Sequence, residues 1–289
     1  MNRIRPGTVL KQKINERRGL LVAGAGNALA ARVIEEEGFG AVYVTGAGVT
    51  NTFYALPDLG FITLTDLAMH TSAIRDAVEL PIIVDADTGF GNELNVYHTV
   101  RTLERAGANA IQLEDQQMPK KCGHFNDKSI ISAKEAASKI KAAVDARVND
   151  DFLIIARTDA RAVEGFDAAI ERAQMFIDAG ADVTFVEAPA SIEELHQIPK
   201  RLSVPQLVNV VIGGKTPTLD HKEFAELGYG MVLYANASLQ GAVRGMTNAL
   251  RYLKQVGRLD EDETLVATFE ERQRTVRKAF FDELAKKSA

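Results

Sequence analysis

The chain has 289 residues, 46% of them hydrophobic and 25% charged, with a formal net charge of −5, the composition of a folded globular protein with a sizeable core. That acidic balance offers no basic stripe to nucleic acid, and a single cysteine, Cys122, excludes an internal disulfide and any sign of an oxidising compartment. The basic N-terminus lacks the apolar core of a signal peptide and no stretch approaches the roughly 18 unbroken apolar residues of a membrane span, so a cytoplasmic location without a membrane partner is expected.

In chain order, short apolar runs alternate with amphipathic stretches. The runs GLLVAG, AVYVTG, PIIVDAD, AIQLED, FLIIARTD, VTFVEA, PQLVNVV and MVLYANA are predicted strands. Helical patterns lie between them, among them Glu93 to Ala106, Ala133 to Val148 and Phe166 to Ala179, several closed by a glycine. The early AGAGNALA stretch lacks the G-x-G-x-x-G spacing, and no acidic residue ends the following strand, so it is not a dinucleotide loop. Near-continuous apolar strands alternating with helices imply parallel strands buried on both faces, and eight such units in succession favour a closed (β/α)8 TIM-type barrel over an open doubly wound sheet. Residues 1–289 are expected to form one domain, with 239–289 as a C-terminal helical extension. In that extension Phe269, Val276, Phe280 and Leu284 make a stripe suited to pack on its own domain or on another subunit.

A barrel carries its active site at the C-terminal ends of its strands. There the sequence places Thr45 and Gly46 with the loop residue Asp58, then Asp85 and Asp87, Glu114 and Asp115, Arg157 and Asp159, Glu187, and Asn209. Polar groups gathered at one end of apolar strands need a reason, because unpaired polar groups are costly in a core. Asp85 and Asp87, two apart on a predicted strand, should face the same side. With Glu114 and Asp58 they make an oxygen-only set suited to Mg2+, which uses one or two carboxylates, waters and substrate oxygens. The alternative is a structural ion-pair network with Arg157 or a lysine.

Cys122 lies in MPKKCGHF. A lone Cys-x-His pair falls short of a zinc ligand set, which leaves an inert buried cysteine or a reactive thiol. Lys120, Lys121 and His124 would favour thiolate over thiol and lower the pKa from about 8.5, for a nucleophile or for a proton donor.

The strings VDADTGFG, IQLEDQQMPKKCGHF and IIARTDA resemble the isocitrate lyase/phosphoenolpyruvate mutase superfamily over essentially the whole chain, and Lys-Lys-Cys-Gly-His resembles the motif of its carbon–carbon lyase branch. The resemblance implies an α/β barrel, Mg2+ (or Mn2+ in its place) held by Asp85 and Asp87 with Glu114 in support, and a homotetramer whose C-terminal helices are exchanged between subunits. It implies retro-aldol cleavage of a 2-hydroxy dicarboxylate. Thr45, Gly46 and Ala47 would meet the substrate carboxylate, and Arg157 would bind a carboxylate or hydroxyl. Asp58, Gly123, Glu187 and Asn209 would complete the substrate site. Cys122 would deliver a proton with Lys121 and His124 in support, Tyr43 would be a candidate base, and the cysteine segment would close as a lid. The 2-methylisocitrate lyases of the family carry Asn-Ile-Thr-Glu-Phe-Gly after strand seven and an arginine near the end of strand eight. This chain has Asn209-Val-Val-Ile-Gly-Gly and Gln240 at those places. That departure implies a dicarboxylate, 2,3-dimethylmalate cleaved to pyruvate and propionate, over 2-methylisocitrate cleaved to pyruvate and succinate. An oxaloacetate- or phosphonopyruvate-processing enzyme on the same scaffold is the further alternative.

Overall fold

The computed structural model describes residues 5–121, 123 and 127–288; Cys122 and His124 therefore lie outside the described residues. Each of the eight apolar runs forms a strand: β1 (Leu20–Ala25), β2 (Val42–Val44), β3 (Ile82–Asp85), β4 (Ala110–Glu114), β5 (Leu153–Thr158), β6 (Val183–Val186), β7 (Leu207–Asn209) and β8 (Met231–Tyr234). They pair in parallel in the spatial order β6, β5, β4, β3, β2, β1, β8, β7. The ring closes through a single parallel bridge between Thr184 and Gln206, where Thr184 Oγ1 also donates to Gln206 Oε1 at 2.7 Å. The result is the TIM-type α/β barrel that the alternation predicts.

Among the described residues thirteen helices flank the strands: α1 (Pro6–Asn15), α2 (Ala28–Glu36), α3 (Gly46–Tyr54), α4 (Leu64–Ala77), α5 (Glu93–Arg105), α6 (Ala133–Ala146), α7 (Ala160–Val163), α8 (Phe166–Asp178), α9 (Ile192–Arg201), α10 (His221–Leu227), α11 (Ala237–Val256), α12 (Phe269–Thr275) and α13 (Lys278–Ser288). Their starts are written in short polar side chains: Asn27, Thr63, Asn92, Ser132, Ser191 and Asp220 each accept a first-turn amide, and each such cap stabilises by about 1 kcal/mol. Leu10 and Ile14 of α1 pack with Leu153, Val183, Leu207 and Met231 and so plug the N-terminal end of the barrel. Fully burying each of those two side chains is worth about 1.5–3 kcal/mol. The other end is left to polar groups. Strand register sets them level, with Asp85 beside Gln112 and Glu114 beside Arg157.

Among the described residues no helix is long and apolar enough to cross a membrane. The 20-residue α11 buries none of its residues; Val243, Met246, Leu250 and Leu253 lie at helical spacing on its exposed surface. Phe269, Val276, Phe280 and Leu284 are likewise exposed, yet α12 is tied to its own chain, since Arg32 Nε donates to Thr275 O at 3.2 Å and Thr275 Oγ1 to Glu36 at 3.0 Å.

Candidate active site

The acidic centre differs in one respect from its expected form. Strand β3 ends at Asp85, and Asp87 takes a left-handed conformation with φ of 48°, so the two carboxylates are not strand neighbours on one face. A turn brings them together instead: Asp87 N donates to Asp85 Oδ1 at 3.2 Å. Gly46 backs both. A Cβ at Gly46 would stand 3.2 Å from Asp87 Oδ1 and 3.4 Å from Asp85 Oδ2, so the start of α3 can approach only because no side chain is there. Lys120 reaches into this centre from the loop after β4, pairing with Asp58 and, at 2.8 Å, with Asp87 Oδ1. Burial raises Asp87 to about 6 against the pull of that ammonium. Burial also raises Asp85, which Lys120 and Arg157 oppose. Lys120 is itself disfavoured by burial, but Asp87, Asp58, Glu114 and Asp85 outweigh this and carry its pKa well above the ordinary lysine range. At neutral pH the Lys120–Asp87 pair is thus ionised.

Arg157, on β5, organises a second group. Its guanidinium lies 3.2 Å from Glu114 Oε2, binds Asp159 through Nε at 2.9 Å and Nη2 at 3.1 Å, and approaches Glu187 Oε1 to 3.9 Å. Burial works against its charge, but Asp159, Glu114 and Glu187 more than compensate, and it stays cationic. Glu114 is pushed well above the usual carboxyl range by burial, with Arg157 and Lys120 holding it back. Gly123 sits directly on this group: a methyl there would overlap Glu187 Oε1 and the Arg157 guanidinium. The ion-pair network offered as the structural alternative is thus present, through Lys120 at Asp87 and Arg157 at Glu114 and Asp159, and Arg157 also lines the cavity.

These groups surround a cavity of about 40 Å3 at the C-terminal end of the barrel. Tyr43, Thr45, Ala47, Asp58, Asp85, Lys121, Gly123, Arg157, Glu187 and Asn209 all line it, while Gly46, Asp87 and Glu114 stand immediately behind the wall. Phe185, Val211, Leu233, Ala235 and Asn236 form the remaining side. A larger cleft of about 490 Å3 opens around Lys13, Arg18 and His221 at the opposite end of the barrel, away from the strand ends where such folds place chemistry.

Two sequence-derived roles change with this geometry. Tyr43 donates its hydroxyl to Gln112 Oε1 at 2.5 Å, and burial together with Asp85 raises its pKa well above 10. Both effects favour the neutral phenol, which orients Gln112, and Gln112 donates to Asp85 at 3.3 Å. Gln240 is exposed on α11 and does not line the cavity. Lys121 lines the cavity but sends its ammonium outward to Asp127 O at 2.9 Å; Lys120 is the buried lysine. Adjacent side chains of an extended segment point to opposite sides, so only one of the two lysines can face inward, and the motif does not say which. Cys122 and His124, both expected to act, fall outside the described residues. Sequence inspection also passed over Gln112, Asn236, Lys128 and the site role of Asp159; only Asp159, a charge at a strand end, carried a usable signal.

Asp85 and Asp87 suit a divalent cation on three counts. Glu114 Oε1 is a buried carboxylate oxygen that accepts no hydrogen bond while Asp87 Oδ1 is met by the Lys120 ammonium that a metal cation would replace, the raised pKa values record burial and crowded negative charge, and Gly46 puts no side chain against the carboxylates. Among the described residues no three His, Cys, Asp or Glu side chains make a ready-built metal cage; Mg2+ asks for only one or two carboxylates.

The phosphoenolpyruvate phosphomutase family model matches residues 10–254. A 2-methylisocitrate lyase of Aeropyrum pernix is 48% identical over 253 residues, covering 88% of this chain and 81% of that protein. A 2,3-dimethylmalate lyase of Eubacterium barkeri is 44% identical over 245 residues, 85% of each. A phosphonopyruvate hydrolase solved in complex with oxalate and Mg2+ superposes with a TM-score of 0.87 at 28% identity, over 97% of this chain and 98% of that one. A match of this extent to relatives named as lyases gives the acid-tipped barrel its family: the chain belongs to the phosphoenolpyruvate mutase/isocitrate lyase superfamily and is one of its lyases.

Proposed function

We propose that the protein cleaves a carbon–carbon bond of a 2-hydroxy dicarboxylate to release pyruvate, with 2,3-dimethylmalate, split to pyruvate and propionate, as its preferred substrate. The far wall of the cavity carries this choice. Phe185, Val211, Leu233 and Ala235 are apolar, and Asn209 and Asn236 are neutral. Apolar walls suit methyl substituents. A third carboxylate on that side would be buried without a cation, at a cost of about 3–5 kcal/mol.

Asp85 and Asp87, with Glu114 behind them, would hold Mg2+. When bound, the ion supplies Lewis acidity at the substrate's 2-hydroxyl and adjoining carboxylate. The chain's own residues do the rest. The amides of Gly46 and Ala47, at the start of α3, have no carbonyl four residues back and so remain open to the C1 carboxylate. Arg157 binds the second carboxylate and is held in place by Asp159 and Glu114. The 2-hydroxyl proton leaves to a cavity carboxylate that does not hold the ion, Asp58 or Glu187. The C2–C3 bond then breaks, its electron pair passes into the departing fragment as an enediolate, and Cys122 protonates that carbon to give propionate. The thiol is restored by the hydroxyl proton through solvent or the same carboxylate.

A 40 Å3 space holds on the order of one water, so the loop bearing Lys120, Lys121 and Gly123 must withdraw to admit the substrate and return over it. The exposed apolar faces of α11 and α13 are assigned to a second copy of the chain, in a homotetramer. Sedimentation velocity on the full chain should give a species of four times the 31.4 kDa chain mass; a monomer at micromolar concentration would remove the assignment.

The 48% identity to a 2-methylisocitrate lyase favours a second possibility, release of pyruvate and succinate from 2-methylisocitrate. A pyruvate-release assay on both acids, with and without EDTA, separates the two. The expected result is a kcat/KM on the order of 10²-fold higher for 2,3-dimethylmalate, abolished by EDTA. A preference for 2-methylisocitrate would transfer the assignment to that substrate.

A further inference from the structure

We propose that Lys128 is a positioning residue for the reaction, anchoring the tip of the cysteine loop to the end of β5 so that Gly123, the residue bonded to Cys122, is held against Arg157 and Glu187. The loop leaves the barrel after Asp115 and returns at Ile131, and its neck is closed by backbone bonds, Gln117 N to Ser129 O and Ile131 N to Asp115 O, both 2.9 Å. The Gln116 carboxamide adds a second tie, donating to Lys121 O at 2.8 Å and accepting from Lys121 N at 2.9 Å. None of these bonds reaches Gly123.

Lys128 does. Its ammonium, on a side chain only 1% exposed, donates both to the Gly123 carbonyl and to Asp159 Oδ1, the latter at 2.6 Å. An ammonium buried to this degree loses several kcal/mol of hydration, so its position is stable only while both acceptors are present. Asp159 is the same carboxylate that Arg157 grips through Nε and Nη2. A continuous chain of charge-assisted contacts therefore runs from the substrate arginine through Asp159 and Lys128 to the backbone beside Cys122. Burial alone would raise Asp159, but Arg157 and Lys128 outweigh it and hold the carboxyl below its ordinary range, as the two-sided clamp requires.

The two buried lysines of the loop have different duties. Lys120 sits among Asp58 and Asp87, in the space the substrate and its cation need, and has to give way when they bind. Lys128 lies outside the cavity lining, so its anchor can persist with the cavity filled.

The inference rests on the proposed role of Arg157 and the cysteine loop, and its test reads the loop without a substrate. Cys122 is the chain's single cysteine, so the rate at which a chromogenic aromatic disulfide modifies the full-length protein reports on this loop alone. Lys128→Met should raise that rate at least about tenfold and, because a misplacement of about 1 Å can cost about 10²-fold, lower kcat by about 10²-fold with little change in KM. Lys128→Arg, which restores the charge and two donors, should recover much of both. A modification rate in Lys128→Met within twofold of wild type overturns the proposal. So does a loss of rate control that appears only with a collapsed melting transition and is not reversed in Lys128→Arg. If neither acid releases pyruvate from the wild-type protein, the substrate assignment fails while the thiol rates still decide the role of Lys128.

Discussion

Asp87→Asn is expected to weaken Mg2+ binding by about 10³-fold and to abolish pyruvate release at millimolar Mg2+. A carboxylate about 4 Å from a cation in partly screened surroundings contributes about 4 kcal/mol per unit charge product, hence about 8 kcal/mol for a doubly charged ion before the competing Lys120 ammonium is counted, and about 1.4 kcal/mol is a factor of ten, so about 10³-fold is a lower bound. The fold should survive the change. Asp87 lies at a strand end, its removal leaves Lys120 paired with Asp58, and a buried carboxylate that burial has already raised to about 6 is no great source of stability. The same raised value gives a pH dependence. As pH falls through about 6, Asp87 gains a proton in the metal-free protein, so the ion must displace it and its affinity should fall in the wild type; the affinity of Asp87→Asn should fall less steeply over that interval, since only Asp85 and Glu114 are left to compete for protons. Isothermal titration with Mg2+, and Mn2+ resonance as a second probe, measures both without catalysis. An Asp87→Asn affinity within about threefold of wild type would show that the ion, if held here, is held by other groups.

The barrel was legible because its physics is repetitive. Strands buried on both faces must be apolar along their whole length, and even the three-residue β2 and β7 stand out in AVYVTG and PQLVNVV. Helix ends were legible through closing glycines such as Gly107 and Gly180, and the active end through charges that no core would accept unpaired. What stayed hidden depends on choices made in three dimensions. Asp87 reaches Asp85 through a left-handed turn that a strand periodicity cannot anticipate. Lys120 rather than Lys121 turns inward because of how the loop crosses the barrel mouth. Lys128, thirteen residues past Asp115 along the chain, becomes part of the site only once the loop folds back on Asp159. Tyr43 looks from sequence like a polar group available for proton transfer, and its burial, its bond to Gln112 and the neighbouring carboxylates, which favour the neutral phenol, could not be read there. The stripe of Phe269, Val276, Phe280 and Leu284 was visible as a hydrophobic pattern, but which surface covers it is a property of the assembly and not of one chain.

Cys122→Ser is expected to lower kcat by about 10²–10⁴-fold, the usual contribution of a positioned general acid, while leaving KM and Mg2+ affinity within about threefold. The described neighbours of Cys122 explain why the loss should fall on kcat. Gly123 packs on Arg157 and Glu187, and the Gln116 amide fixes Lys121, so the backbone on both sides of the cysteine is placed by contacts that serine leaves intact. The substitution removes one acidic hydrogen and little else. Before protonation, all that the chain does, holding the C1 carboxylate at Gly46 and Ala47 and the second carboxylate at Arg157, is independent of the thiol. The cleaved fragment should therefore wait as an enediolate or recombine with pyruvate, and the variant should still exchange label between pyruvate and substrate. Cleavage of phosphonopyruvate leaves pyruvate enolate, which solvent can protonate without a positioned acid, so that turnover should pass through Cys122→Ser nearly unchanged; cleavage of oxaloacetate to oxalate and acetate leaves an acetate enediolate that needs the same proton and should be lost with the lyase activity. Measuring the variant against 2,3-dimethylmalate, 2-methylisocitrate, oxaloacetate and phosphonopyruvate thus separates carbon–carbon cleavage from phosphorus–carbon cleavage on one protein. Full activity toward phosphonopyruvate, with none toward the other three, would assign the acid-tipped barrel to that reaction and leave the cysteine without a catalytic part.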